Sequence, residues 1–526
     1  MEREFNDTGL CVPNWHYMVD TSEKIGDIIR LVEKGKYFTI NRPRQFGKTT
    51  TLSLLDKQLN ERDDYVVLKI TFEEIDPDAY QEQEYIHELL MMMLTRLEFL
   101  GLTKPAGFIE QHLEQTSTFP ALSRFLTRFV RDMMPGKLVL LIDEVDQSSG
   151  NQLFLTFLRM LRNKYLHRNE GQDYTFHSVI LAGVHDIKTL KSKIRPDDKR
   201  KYNSPWNIAV DFEVDLSFSP REIESMLRDY SRDKGSQTDI PDIAEKLHYY
   251  TSGYPWLVSK LCKLIDEKIV FSREEKNWSV TDVDTAFRMI VNGGYTSTLF
   301  DSLTKNLENN EGLHDLVFRM VINGDRFDFV IADPVINLGH LYGIVAQSEQ
   351  GRCRIHNRIF EQRIYDYMMS KFLRKKNREV NGFIGPEFYT DEGLDVRLIL
   401  RRFQAFMEEH YSSRDAKFLE REGCLLFLSY LRPIINGKGF EFKEPHVGDE
   451  RRMDIVITCR NQRYVIELKR WYGPKYHQKG LEQLSGYLDT YSLREGYLLI
   501  YDFNKNKKYK EEEIVFEDKQ IFAVWA

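Results

Sequence analysis

Three consecutive residues, Gly47-Lys48-Thr49, carry the first chemistry legible in this chain. They fall near the end of NRPRQFGKTT, between an apolar run, Tyr37-Phe-Thr-Ile40, and a stretch with helical spacing, LSLLDKQL. A glycine before a lysine and a hydroxyl residue, at a turn from strand to helix, lets backbone N–H groups close on an anion. Phosphate contacts are therefore expected from Arg42, Pro43, Arg44, Gln45, Phe46, Gly47, Lys48, Thr49 and Thr50. Lys48 would reach the β- and γ-phosphates, and the Thr49 hydroxyl would hold Mg²⁺. Arg42 stands where the pattern G-x-x-x-x-G-K-[ST] has its first glycine. The strand and helix on either side carry the reading more than the triplet does.

A partner for that loop lies in Leu138-Val-Leu-Leu-Ile-Asp-Glu144, an apolar strand ending in two acids. Asp143 would bind Mg²⁺ through water, and Glu144 would polarise an attacking water. The plainer alternative is a buried strand with a capping acid. Together the two segments call for ATP and Mg²⁺. His185 and Asp186 end the strand SVILAGV, as a polar sensor of the γ-phosphate or as a solvated strand terminus. Arg195 and Arg200, in KSKIRPDDKRK, are an arginine finger or a solvated loop.

A second constellation is RRMDIVITCRNQRYVIELKRW, two strands around a polar turn, Arg460-Asn-Gln-Arg463. Glu467 and Lys469 are two apart and share a strand face, with Asp454 on the neighbouring strand. Two carboxylates can hold Mg²⁺, which activates water at a scissile phosphate, and a lysine beside them stabilises the charge that builds there. A cross-strand salt bridge is the alternative. Glu422, in the helix REGCLLFLSYL, and Gln483, in KGLEQLSGYLDTY, come from the flanking elements. Arg451, Arg452, Arg470, Trp471, Lys475, His477 and Lys479 interleave bases and aromatics. They suit phosphate contact with stacking, or form a solvated strip. The run KNKKYKEEE is expected as an exposed hairpin tip.

The elements that must position these residues follow from the apolar pattern. Tyr37–Ile40, Tyr65–Ile70, Leu138–Ile142 and Val179–Gly183 read as buried strands, with amphipathic stretches such as IHELLMMMLTRLEFL between them. This alternation predicts a parallel sheet covered on both faces. Helices dominate from about 219 to 290, opened by Ser219 as cap and Pro220 at the first helical position. Helices followed by a hairpin, LYGIVAQ and GRCRIHN around a Ser-Glu-Gln-Gly turn, suggest a winged helix. A charged, breaker-rich stretch precedes the last unit. The expected domains are 1–200, a P-loop core; 201–290, a helical lid; 291–375, a winged helix; 376–394, a linker; and 395–526, a second α/β domain.

Composition bounds the rest. The 526 residues, 42% hydrophobic and 29% charged with 33 Phe and 27 Tyr, describe globular material of several domains. Five scattered cysteines form neither a disulfide framework nor a zinc knuckle. A reducing, cytoplasmic setting is expected, with no membrane span and no signal peptide. The net charge of −7 excludes a chain that is basic throughout, while leaving room for a local basic face.

The segments NRPRQFGKTT, LLIDEVD and SGYPWLVSKL, within about residues 1–375, resemble the AAA-ATPase-like family of bacterial proteins, relatives of the STAND and Orc-type P-loop ATPases. The resemblance implies that Gly253-Tyr254-Pro255 sits in a helical lid over the nucleotide; it leaves the oligomeric state open, since such ATPases commonly complete the site in trans within a homo-oligomer. Residues 395–526 resemble the PD-(D/E)XK nuclease superfamily, with Met453 in place of the proline. That resemblance implies Asp454, Glu467 and Lys469 as the catalytic set, with Glu422 and Gln483 as accessories. The expectation is an ATPase that gates Mg²⁺-dependent cleavage of DNA on a protein or ligand trigger, with a defence or mobile-element role. The rivals are a signalling switch whose C-terminal domain binds nucleic acid or a partner without cutting, and an ATP-driven translocase.

Overall fold

The four apolar runs of the first third become one parallel sheet. In the computed structural model they are β1 (Tyr37–Asn41), β2 (Tyr65–Thr71), β3 (Lys137–Asp143) and β4 (Ser178–Gly183), in the order β1-β4-β3-β2. Every residue of β4, and all but the first of β3, is buried, as a sheet covered on both faces requires. Phe38 also makes an isolated parallel bridge to Val210 on the outer side of β1. The structure describes the chain apart from residues 1, 74–80, 147–151, 185–205, 292–294, 322–325, 376–387, 391–392, 411–425, 429, 432–433, 436–438, 444–452, 460–461, 472 and 503–508.

Two compact units result, residues 1–292 with 338–344 and residues 293–337 with 345–526. In the first, α1 (Ser22–Glu33), α2 (Lys48–Asn60), α3 (Glu82–Phe99), α4 (Thr103–His112), α5 (Phe119–Met133) and α6 (Gln152–Asn169) surround the sheet. Leu89, Met93, Phe125, Phe129, Phe154 and Leu158 join Leu68, Leu140 and Leu181 in one core. Each such side chain contributes about 1.5–3 kcal/mol by leaving water.

Four further helices follow in the same unit: α7 (Pro220–Lys234), α8 (Ile240–Thr251), α9 (Pro255–Leu264) and α10 (Val280–Val291). The Ser-Pro start is built as a capping box. Ser219 N–H donates to Glu222 Oε2 at 2.7 Å, and Glu222 N–H returns to Ser219 Oγ at 3.3 Å. The N-terminal residues 4–19 make a strap, closed where the Tyr17 N–H donates to the Glu4 carbonyl at 2.9 Å. Its buried rings, Phe5 and Tyr17, pack on Tyr230 of α7 at 5.3 and 5.4 Å between centroids.

The second unit begins with α11 (Thr298–Glu308) and α12 (Glu311–Val321), and α13 (Pro334–Leu341) follows in the chain. Then come the antiparallel pair β5 (Val345–Gln347) and β6 (Cys353–Ile355), and α14 (Arg358–Lys375). A six-stranded mixed sheet comes next, in the order β11-β12-β10-β9-β8-β7. Its strands are β7 (Gly439–Lys443), β8 (Met453–Cys459), β9 (Gln462–Arg470), β10 (Glu495–Tyr501), β11 (Lys510–Phe516) and β12 (Lys519–Trp525). β8 and β9 are antiparallel, whereas β9, β10 and β12 run parallel, so a crossover must join β9 to β10. α16 (Pro474–Thr490) makes it, burying Leu481, Leu484 and Leu488 against Val465, Leu498 and Ile500. The other face carries α15 (Val396–His410), whose Phe403 ring meets Tyr501.

Two expectations need correction here. Pairing of β8 with β9 runs on to Cys459↔Gln462, so Gln462 and Arg463 are strand residues rather than turn residues. The acidic half of KNKKYKEEE lies in β11 instead of at a hairpin tip. Only the middle carboxylate is paired locally among the described residues: Glu512 meets Lys510 at 3.1 Å, whereas Glu511 pairs with Arg401 at 2.6 Å and Glu513 with Arg397, both on α15.

Candidate functional site

Gly47 ends the β1–α2 loop in the left-handed region, at φ +81°, and caps α2 without any side-chain hydrogen bond. Gln45 is left-handed too, at +57°. Such turns aim successive N–H groups to one side, ahead of a helix end whose first N–H groups have no helical partner. The Lys48 ammonium, on a residue only 5% exposed, donates to the carbonyls of Arg42 and Pro43 at 3.1 and 3.0 Å. Burial pushes its pKa down, against the carboxylates of Glu144, Asp146 and Asp143. Arg44 and Thr49 are exposed, and the Thr50 hydroxyl accepts the Cys11 N–H at 3.3 Å. Arg42 turns to backbone, donating to the carbonyls of Asn41 at 2.9 Å and Val214 at 2.7 Å.

The acids at the end of β3 face this lysine. Asp143 is 4% exposed, and its Oδ1 accepts the Glu144 N–H at 3.0 Å. Glu144 is itself left-handed, at φ +52°. Burial raises the Glu144 pKa; Lys48 opposes the rise, and Asp143 and Asp146 add to it. Asp146 escaped the sequence reading, its one signal being its place two residues after Glu144. It accepts the Val184 N–H at 2.5 Å, beside Gly183, where a Cβ would lie 2.8 Å from Val145 Cγ2.

Next to the loop lies a cleft, walled by Gln45, Phe46 and Gly47, by strap residues such as Asn6, Thr8 and Met18, and by Phe218, Met226 and Trp256. The strap is fastened to α9. Trp256 Nε1 donates to the Asp7 carbonyl at 2.8 Å and Ser259 Oγ to that of Asn6 at 2.6 Å. Lys260 and Lys263 hold the Asp7 carboxylate at 2.6 and 2.8 Å. Tyr254, fully buried ahead of α9, sets its ring edge-on to Phe46 at 4.8 Å and donates its hydroxyl to the Arg44 carbonyl at 2.5 Å. Nothing in the local sequence signals the strap, since its partners lie some 250 residues away.

In the second unit, Glu467 is fully buried, and the Lys469 ammonium stands 3.3 Å from it and 2.9 Å from Gln483 Oε1. The register sets Asp454 directly opposite Glu467. Gly480, one turn before Gln483 on α16, makes room for the lysine: a Cβ there would lie 2.8 Å from its Nζ. Trp471 and His477 form an aromatic group with buried Trp525, at 5.6 and 5.5 Å from the His477 ring. His185, Asp186, Arg195, Arg200, Glu422, Arg451 and Arg452 lie outside the described residues. Among the described residues, no group of three or more His, Cys, Asp or Glu is placed to hold a metal ion, and no helix is long and apolar enough to cross a membrane.

A parallel sheet with this loop at the end of β1, and acids at the end of β3, is the architecture of an ATPase-like P-loop domain. A family model described as an AAA-like domain matches residues 20–285, and the chain belongs to that family. Among solved structures, a Walker-type ATPase of Pyrococcus abyssi is similar at 13% identity, covering 66% of this chain and 96% of its own, with a TM-score of 0.47. The ORC2 protein of Aeropyrum pernix, in complexes with ADPNP and ADP, is similar at 12% identity, over 67% of this chain and 93% of its own, with a TM-score of 0.37. RuvB of Thermotoga maritima, a Holliday junction branch migration motor, matches at 12% identity over 64% of this chain and 92% of its own, with a TM-score of 0.32. No curated protein matches the sequence.

Proposed function

We propose that this protein binds and hydrolyses ATP in its first unit, and thereby gates Mg²⁺-dependent cleavage of DNA phosphodiesters in its second. The donor set suits the nucleotide. Loop N–H groups stand at a helix start, and Lys48 is folded onto loop carbonyls that it can exchange for phosphate oxygens. Thr49 and Asp143 would hold the Mg²⁺ of the nucleotide, and Glu144 would orient the attacking water. The helices and hairpin between 298 and 375 would act as the winged helix that passes the change on.

The observation that carries the nuclease half is the Glu467–Lys469–Gln483 cluster, two of its members on β9, whose neighbour sets Asp454 opposite Glu467, and the third on α16. Asp454 and Glu467 would hold Mg²⁺. The bound ion would supply a nucleophilic hydroxide and neutralise phosphate charge. Lys469, oriented by Gln483, would stabilise the oxygens of the reacting phosphate. The order helix, three strands, helix, strand (α15, β7, β8, β9, α16, β10) is the support for a PD-(D/E)XK-like reading.

One observation favours a second reading, a switch whose C-terminal domain binds nucleic acid or a partner without cutting. Glu467 is wholly buried beside its lysine, closed to solvent. A single experiment separates the two: incubation of mixed linear and circular DNA with Mg²⁺, with and without ATP, beside Glu467→Ala. Cleavage that needs Glu467 and responds to ATP supports the gated nuclease. Intact DNA in every combination, with ATP still bound, leaves the switch.

A further inference from the structure

We infer that the Tyr254 hydroxyl is the contact through which the α9 wall of the cleft responds to phosphate in the Gly47 loop. The inference rests on the nucleotide reading and names a positioning residue within it. Three consecutive loop carbonyls are held in this structure. Lys48 takes those of Arg42 and Pro43, and Tyr254 takes that of Arg44. A phosphate draws the ammonium off the first two carbonyls, because an anion is a far stronger partner for it than a neutral oxygen. Tyr254 then keeps its hold on the third.

Tyr254 is mounted to transmit such a shift. Its ring is fully buried against Phe46, and burial pushes its hydroxyl pKa up, which favours the protonated, donating form. Behind it, the Gly253 carbonyl accepts the Phe218 N–H at 2.8 Å, in a place where a Cβ would lie 2.1 Å from the Phe218 oxygen. Ahead of it, Pro255 opens α9, and Trp256, Ser259, Lys260 and Lys263 of that helix fasten strap residues Asn6 and Asp7. Strap and α9 wall the cleft beside the loop. Displacing the Arg44 carbonyl therefore moves the wall that would lie along the base. Phosphate and base binding are thereby coupled, and the coupling is reciprocal.

The test compares the full chain with Tyr254→Phe, which keeps the ring and deletes the hydroxyl. ADP and adenosine are titrated by calorimetry, and amide hydrogen exchange is followed across Pro255–Leu264. In the wild type, ADP slows exchange in α9 and adenosine does not. In Tyr254→Phe, adenosine affinity stays within about twofold, ADP affinity falls about tenfold, and ADP no longer slows α9 exchange. Unchanged ADP affinity with α9 still protected overturns the inference, as does an equal loss for adenosine and ADP. Should Tyr254→Phe fail to fold, inorganic pyrophosphate is titrated into the wild type instead. Slowed α9 exchange with pyrophosphate alone supports the inference, and slowing that needs the adenosine part overturns it. A wild type that binds no ADP would instead sink the nucleotide reading itself.

Discussion

Two glycines in the helical part of the first unit share one backbone conformation and differ in their surroundings. Gly235 caps α7 at φ +63° with nothing within 4 Å of a built Cβ. Gly253 sits at +72°, with its Cβ position 2.1 Å from the Phe218 oxygen and 2.7 Å from the Phe218 nitrogen. Alanine in the left-handed region costs about 1–2 kcal/mol wherever it stands. At Gly235 that is the whole cost. At Gly253 the overlap must also push the two segments apart, breaking the bond from the Phe218 N–H and stranding a donor, for about 2–3 kcal/mol more. At about 2–4 °C per kcal/mol, Gly235→Ala lowers the melting temperature by about 4 °C and Gly253→Ala by about 10 °C or more. Calorimetric melting of the full chain, with tryptophan fluorescence alongside, reads both. Equal losses would refute the reasoning, because they would mean that backbone conformation alone, and not the crowding by Phe218, sets the need for glycine.

Lys48→Met should lower phosphate release from ATP by about 100-fold or more, measured as steady-state turnover, since it removes the cation from the loop. Asp7 supplies a pH dependence. Burial would raise its pKa, but Lys260 and Lys263 outweigh burial and hold it below the ordinary carboxylate value. The stabilisation is therefore full above the unfolded pKa, about 4, and is lost as pH falls through the lower folded value. Trp256 fluorescence should report strap release below about pH 4, and Asp7→Asn should show the released signal at neutral pH. Gly480→Ala should drive the Lys469 ammonium from its place. DNA cleavage then falls about tenfold while the melting temperature moves by less than about 2 °C, against complete loss of cleavage in Glu467→Ala.

Much of the first unit was legible because its signals are local. Leu138–Ile142 and Val179–Gly183 are unbroken apolar runs, and Tyr37–Ile40 is interrupted only by Thr39; parallel strands buried on both faces tend to be such runs. Gly47-Lys48-Thr49 declared itself by standing between such a run and a helix. The spacing of Asp454, Glu467 and Lys469 gave the shared strand face, and the register then set the first opposite the second. What stayed hidden depends on distant partners. Asn6 and Asp7 have no periodicity that points to Trp256 and Lys260, nor does Tyr254 announce the Arg44 carbonyl. The Glu511–Glu513 run looked self-compensating beside its lysines, yet Glu511 and Glu513 pair with arginines more than a hundred residues earlier.

The strand order has a consequence for how the protein is made. β1 has β4 on one side, with Tyr37 opposite Val179, and the bridge from Phe38 to Val210 on the other. Until about 140 further residues have left the ribosome, the strand that carries the phosphate loop has no neighbour to pair with. At about 5–20 residues per second that is a wait of roughly 7–30 s. The loop cannot take its left-handed turns on a fixed base during that interval. The phosphate loop therefore gains its fixed base only when the fourth strand arrives and the sheet closes.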